Sequence, residues 1–441
     1  MFTNKDLRRM ILPLFLEQFL VMLVGIADTA IISYAGEAAV SGVSLVNSFN
    51  TIFIYLFTAL ASGGAVIISQ YVGKKEFTSA SESASQLLMV STIFSLIIAV
   101  LVLSLNRFLL KLMFGRVESA VMEACVIYLK ISAYSYPALA IYNAGAALYR
   151  SMGKTSTAMY ISVFSNIINV VGNIIGVFVL HAGVAGVAYP SLLARIFSAA
   201  AITLLCFSSK FPVRYQKRWI FSWNAGLLRR ILGIAIPNGI ESGIFQFVKV
   251  ALSSVVALFG TYQIAANGIA QSIWSLAALV CVAMGPVFIT VIGQCMGAQD
   301  LTAAENYFKK LTKITILLSV GWNILIFAVT PLLMKTFTLA DETKRLVILL
   351  VLIHNIFNSA AFPFSGPLGS GLRAAGDIKF TMYVSIASTI GGRLVFSLLF
   401  AVVWNLGVLG IAYAMCLDWI IRAIIFCFRF RSGKWKNFQL V

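Results

Sequence analysis

Twelve times along this chain an apolar run recurs that is long enough to cross a lipid bilayer, which takes about 20 residues of helix. The runs lie near 10–33, 46–71, 84–106, 122–148, 157–180, 184–207, 230–258, 262–292, 312–335, 346–371, 379–403 and 407–430. None alternates in polarity over ten-residue segments as a membrane β-barrel strand would. The expected fold is therefore all-α and integral to the membrane. Composition agrees: 60% of residues are hydrophobic and only 11% charged, where a soluble chain carries about 25% charge. Lipid must cover most of the exterior. Soluble enzymes, disulfide scaffolds, disordered regulators and nucleic-acid readers are excluded. The first run is not expected to be a cleavable signal, because its apolar core is too long.

The net charge of +18 would suggest nucleic acid in a soluble domain, but in a membrane protein the placement of Lys and Arg sets orientation. With the amino terminus assigned to the cytoplasm, 22 of them fall on the cytoplasmic side and 6 on the outer side, the latter Arg107, Lys111, Arg116, Lys335, Lys344 and Arg345. Both termini are thus expected in the cytoplasm of an inner (plasma) membrane protein. The six cysteines lie in or beside apolar runs with no CxxC pair, as packing thiols do. The basic segment 208–229 is the longest cytoplasmic connection and falls at the midpoint, where it joins an N-terminal bundle (1–207) to a C-terminal one (230–441).

The halves are copies. At an offset of 224, Pro13, Glu17, Gly36 and Gln70 fall on Pro237, Glu241, Gly260 and Gln294, and GVAGVAY (Gly183–Tyr189) falls on GVLGIAY (Gly407–Tyr413). With one deletion, ALYRSMGKTSTAMYIS covers GLRAAGDIKFTMYVS, pairing Arg150 with Arg373. Six spans per copy is an even number, so both copies enter from the same side. The expectation is two parallel six-helix repeats around a central cleft, an arrangement that transporters use for alternating access.

Several motifs carry a more specific likeness: LPLFLEQ with GIADT in the first span, GGAVIISQYVGKKE closing the second, ALYRSMGKT after the fourth, and NVVGN in the fifth. VIGQCMGAQD and GLRAAGD echo them in the second half. Together they resemble the multidrug and toxic compound extrusion (MATE) family of cation-coupled efflux antiporters over nearly the whole chain.

Ionisable side chains at bilayer depth are costly and each needs a reason. Asp28 lies about 27 Å along its helix, among small and apolar neighbours, with no basic residue one turn away. A carboxyl so placed can take up a proton at one face and release it when hydrated. Asn166, Asn169 and Asn173 on the fifth span can bind that carboxyl or offer carbonyl oxygens to a cation. The family resemblance implies that an Asp at this site carries the coupling proton or sodium ion. Better-known members often have a second acid where this chain has Asn173, which leaves Asp28 the sole acid of the cluster.

Glu17 lies nearly on the face of Asp28 and is expected to be either an inner-cavity acid or a carboxylate meeting Lys or Arg from a loop. With Asn47, Tyr134 and Tyr142 it forms the candidate substrate cavity, where aromatic rings can stack on flat cations. Glu241 resembles the second-half cation site of some family members. The candidate polar set there is Glu241, Lys249, Gln271, His354 and Asn358. Asp418 and Arg422, four apart on one helix, should pair. Arg195 and Arg393 are expected to bond to helix carbonyls, and Lys130 to snorkel.

There is no GxxxxGK[ST] loop and no His/Cys/Asp/Glu set with catalytic-metal spacing. The chain is not expected to be an enzyme, to use ATP or to need a cofactor beyond H+ or Na+ as the coupling ion. The reading is a monomeric secondary antiporter for organic, cationic amphipathic compounds, with membrane lipid and no nucleic acid among its partners. The rival is a lipid-linked precursor flippase, which would need basic side chains such as Lys130, Arg195, Lys249 and Arg393 facing its cleft for pyrophosphate. A non-transporting scaffold would need no buried Asp28.

Overall fold

The computed structural model describes residues 2–115, 117–336 and 339–441. Arg116, counted with the outer loops, lies outside them. Among the described residues the secondary structure is helical throughout, and twelve spans result when the bent pair Ser119–Tyr134 and Tyr136–Ser151 is taken as one. In order they are Asn4–Ser33, Glu37–Gly73, Phe77–Ser104, that bent pair, Thr155–Val179 and Ala185–Cys206. The second six are Ala225–Val256, the pair Thr261–Ala277 and Leu279–Gly297, Leu301–Thr336, Asp341–Ala360, Ile378–Val403 and Val408–Arg431. All twelve spans read from the sequence are present.

The duplication is visible in backbone conformation. Left-handed φ angles occur at Gly36 and Gly260 (104° and 83°), Gly153 and Gly376 (74° and 105°), and Gly183 and Gly407 (56° and 58°). They recur at Lys75 and Gln299, and at His181 and Asn405. Each pair stands at the repeat offset. Such angles cost an L-residue with a Cβ and mark tight turns between helices, so the two halves turn their chains at the same places. Close approach recurs as well. The fifth and sixth spans touch through Gly176 and Gly186, where a Cβ on Gly186 would lie 2.7 Å from the Gly176 carbonyl carbon. In the second half Gly410, the counterpart of Gly186, sits against Ala401 and Phe400, and a Cβ there would lie 2.5 Å from the Ala401 amide nitrogen.

The fourth span breaks by 43° because Pro137 sits in the first turn of its second piece. The missing N–H suits a helix start and not an interior. At the break stands Ser135, buried, whose hydroxyl donates to the Ser132 carbonyl (2.6 Å) and can accept from another helix.

By contact the chain forms two units, Thr3–Gly239 and Phe2 with Ile240–Val441. The division falls inside the seventh span and not in the 208–229 connection. Packing explains this: Gly63 of the second span lets the seventh span's backbone approach so closely that a Cβ there would lie 2.8 Å from the Ile231 carbonyl oxygen. The start of the seventh span therefore belongs to the first unit. The connection itself is tied to the third span. The Arg214 and Gln216 amides donate to the Ser81 and Ser85 hydroxyls (3.1 Å each), and Gln86 donates to the Ser222 carbonyl (2.6 Å). Val213 and Tyr215 are buried.

Candidate functional site

The first unit brings Asp28 and the fifth span together. The Asn173 amide donates to the Asp28 carboxylate at 2.6 Å and to the Asn169 carbonyl at 3.2 Å. Asn169 in turn donates to Ser191 of the sixth span (2.8 Å), whose hydroxyl is bonded to the Val187 carbonyl (3.0 Å). Asn173 is fully buried and Asn169 nearly so. The four-residue spacing of the two asparagines puts both amides on the helix face that meets the first span. The side-chain oxygen of Asn173 is buried and has no hydrogen-bond partner. The Asp28 carboxylate, held by the amide of the same residue, is the group of this cluster that can take a proton or a small cation. Asn166 makes no hydrogen bond to this chain of groups among the described residues, and its amide nitrogen is buried without a partner.

Sequence reasoning missed the cation of this cluster. Arg195, from the sixth span, acts electrostatically on Asp28, and its guanidinium donates to the Ser135 hydroxyl at 2.6 Å. It does not bond to helix carbonyls as expected. The signal was the Pro137 break, which frees Ser135 to accept. Tyr128 is buried, and Asn47 is exposed and makes no side-chain hydrogen bond to this cluster among the described residues. Nearby, the Tyr136 hydroxyl donates to Asn50 (2.7 Å).

Glu17 is not a free inner acid. It is 4% exposed, and Arg150 pairs with its carboxylate at 2.7 Å, while the Tyr142 hydroxyl donates to it at 3.1 Å. This is the carboxylate-meets-arginine alternative, with the arginine supplied by the end of the fourth span. The Tyr142 hydroxyl lies between Glu17 and the Ala158 carbonyl (3.1 and 3.2 Å), and Tyr134 is exposed. The same ion pair recurs in the second unit, where Arg373 meets Glu241 at 2.7 Å. Each repeat therefore ties its first span, through one carboxylate and one guanidinium, to the chain that ends its fourth: Arg150 in Tyr136–Ser151 and Arg373 in the short helix Pro367–Ala374 that follows the tenth span.

That pairing changes the expectation for Glu17. Glu17→Gln removes the carboxylate that pairs with Arg150, whose side chain is 21% exposed, so the cost should sit near the low end, about 3 kcal/mol, of that for breaking a buried pair. Export of cationic and neutral compounds should fall together, with a lower unfolding temperature in detergent. Arg150→Met in the same chain should restore much of the stability. A loss confined to cationic compounds at unchanged stability would return Glu17 to the role of a substrate-attracting charge.

The second-half polar set does not assemble as expected. Glu241 is held by Arg373. Asn358 donates to the Ala277 carbonyl (2.9 Å) and to Asn323 (3.0 Å), bridging the break of the eighth span to the ninth. Asn323 was not anticipated, although a lone Asn in an apolar run is a signal. His354 is fully buried with neither ring nitrogen hydrogen-bonded. Lys249 is exposed and Gln271 half-buried.

The dominant charge cluster of this unit lies elsewhere. Asp418, fully buried, meets Arg422 at 2.7 Å and Arg393 at 2.9 Å. Ser388 donates to the carboxylate (2.7 Å), and Arg422 also reaches Ser388 and Thr389 (3.0 and 3.1 Å). The Asp418–Arg422 pair was legible from its spacing. Arg393 joins that carboxylate, and stacks over Phe245 at 4.8 Å, where helix carbonyls had been expected. Lys130 is exposed, as a snorkelling lysine would be.

Comparison with known proteins places this architecture. The chain is 26% identical over 434 residues to the uncharacterized transporter YisQ of Bacillus subtilis, covering 96% of this chain and 93% of that one. It is 24% identical to the probable multidrug resistance protein NorM of Thermotoga maritima, over 98% and 93% of the two chains. The fold matches that of a multidrug resistance MATE family transporter solved in an outward-facing conformation, with a TM-score of 0.90, 20% identity, and 97% and 95% of the chains covered. The MatE family model matches twice, over residues 13–175 and 237–399, one match per repeat at the offset read from the sequence. The chain is a multi-pass membrane transporter and not an enzyme, and it belongs to the MatE (multidrug and toxic compound extrusion) family.

Proposed function

We propose that this protein is an antiporter of the cell's inner membrane, with both termini in the cytoplasm, that exports organic, cationic amphipathic compounds in exchange for H+ or Na+. One observation carries the reading: a carboxylate at bilayer depth, hydrogen-bonded to Asn173, whose own side-chain oxygen is left without a partner. Such a site changes charge when a proton or cation arrives, and a charge change at the packing face of the first and fifth spans biases a two-state equilibrium. Relatives named as multidrug resistance proteins support the substrate class. The flippase reading is weaker, because Arg393 is paired with Asp418 and Lys130 and Lys249 are exposed, so nothing gathers these basic side chains into one pyrophosphate site.

Ethidium accumulation tests the proposal. Cells expressing the protein should accumulate less dye than cells without it, and collapsing the proton or the sodium gradient should remove the difference. A difference that persists with both gradients collapsed would overturn antiport.

A further inference from the structure

The second unit has an open groove on the flank of its ninth and twelfth spans. In the first unit the groove between the third and sixth spans is covered by the 208–229 connection, whose backbone docks on Ser81 and Ser85. At the repeat offset these serines correspond to Glu305 and Lys309 on the ninth span. Over that position the C-terminal tail returns on one side, with Lys436 on Glu305 (2.6 Å). Beside it a cavity of about 650 Å³ lies between the ninth and twelfth spans, within one unit.

Its rim is basic and its walls are apolar. Lys309, Lys313, Arg431 and Lys436 surround it, against the single acid Glu305. Glu305 is taken by Lys309 (2.7 Å) and Lys436 (2.6 Å). Lys313 and Arg431 are exposed and have no carboxylate partner among the described residues. The walls are Phe308, Ile316, Leu317, Phe364 and Leu368. One flank is closed by the C-terminal tail, where buried Trp435 stacks on Phe430 and meets Phe308 edge-on. The other flank opens onto a second apolar cavity of about 270 Å³ with Ile424 and Phe428 in its lining. Leu317, Ile424 and Phe428 are 63%, 51% and 67% exposed, an apolar surface on helices that cross a bilayer.

The charges stand where the spans leave the membrane, since the twelfth ends at Arg431, and the apolar walls run inward from them. A ligand that fits has a phosphate at the basic rim and hydrocarbon along the spans. Basic pockets between spans on the cytoplasmic side hold anionic lipid headgroups. We propose that this groove is a binding site for an anionic phospholipid of the cytoplasmic leaflet, with its phosphate at Lys313 and Arg431 and its acyl chains on the walls of the two cavities. The lipid does for the second repeat what the connecting segment does for the first: it covers the flank of the ninth and twelfth spans.

Native mass spectrometry of the full-length protein, titrated with phosphatidylglycerol or with phosphatidylcholine of the same acyl chains, tests this. Phosphatidylglycerol should be retained over phosphatidylcholine. Lys313→Gln with Arg431→Gln should weaken phosphatidylglycerol binding by about fivefold per charge removed. Thr312→Trp, which fills the cavity and keeps every charge, should also weaken it, whereas Lys210→Gln on the connecting segment should not. Equal retention of both lipids would overturn the proposal. So would full binding by the double glutamine variant or by Thr312→Trp, or retention of inorganic phosphate without phosphatidylglycerol. The glutamine substitutions fall on exposed side chains, so size-exclusion elution and unfolding temperature without added lipid should match those of the wild type.

Discussion

Asp28→Asn should reduce gradient-driven export to the level of cells without the transporter, while the protein inserts and folds normally. The amide keeps the shape of the carboxyl and can still accept the 2.6 Å bond from Asn173. It can no longer change charge. Antiport depends on that change, because the ion and the substrate must bias the same conformational equilibrium in opposite directions. An uncharged residue removes the ion's half of the coupling and leaves substrate binding possible. Stability should stay within about 1 kcal/mol of wild type, because the substitution opens no cavity and half-buried Arg195 keeps its bond to Ser135. Dye efflux from vesicles with an imposed ΔpH or sodium gradient measures the first expectation, and thermal unfolding in detergent the second. Efflux at wild-type rates under both gradients would remove Asp28 from the mechanism. Loss of efflux together with a large fall in unfolding temperature would make its role structural.

Asn173 offers a companion outcome within the same experiment. Its amide donates to the carboxylate at 2.6 Å, a bond that favours the charged form of Asp28. Asn173→Ala should therefore weaken coupling less than Asp28→Asn does, because the carboxyl itself still titrates.

What could be read in the sequence was whatever depends on a single helix or on a repeated pattern. The spans follow from the length of apolar runs, and the duplication from one offset that the left-handed turns at Gly36 and Gly260, or Gly183 and Gly407, repeat in three dimensions. Asp28 was legible because an acid in lipid is costly and needs a partner or a function, and Asn169 and Asn173 because four residues bring side chains to one helix face. Partners on other helices were not legible. Arg150 is 133 residues from Glu17, and nothing in either segment says that the fourth span ends against the first. Yet the matched pair Glu241–Arg373 stood at the same repeat positions, so one pair predicts the other once either is known. The second-half set failed for a related reason. Glu241, His354 and Asn358 were grouped by polarity, but helix packing gave Glu241 to Arg373 and Asn358 to Asn323. The seventh span was assigned whole to the second half, although small residues such as Gly63 let its first turns pack on the first unit.

Asp418→Asn is expected to destabilise the protein more than any other single substitution considered above, by about 3–5 kcal/mol, the usual cost of stranding one partner of a buried ion pair. Here the carboxylate serves two guanidiniums at once. Arg393 is 5% exposed, and losing Asp418 leaves it with the face of Phe245 alone. Arg422 fares better, since Ser388 and Thr389 still accept from it. This asymmetry predicts which second change rescues the first. Arg393→Met in the Asp418→Asn chain should recover most of the lost stability by replacing a stranded charge with an apolar side chain of similar length, whereas Arg422→Met should recover less. Unfolding temperature in detergent, read for the two singles and two doubles, gives the comparison directly. Equal rescue by both methionines would mean that the two arginines share the charge evenly. If Asp418→Asn unfolds like the wild type yet exports nothing, the cluster belongs to transport and not to the architecture of the second repeat.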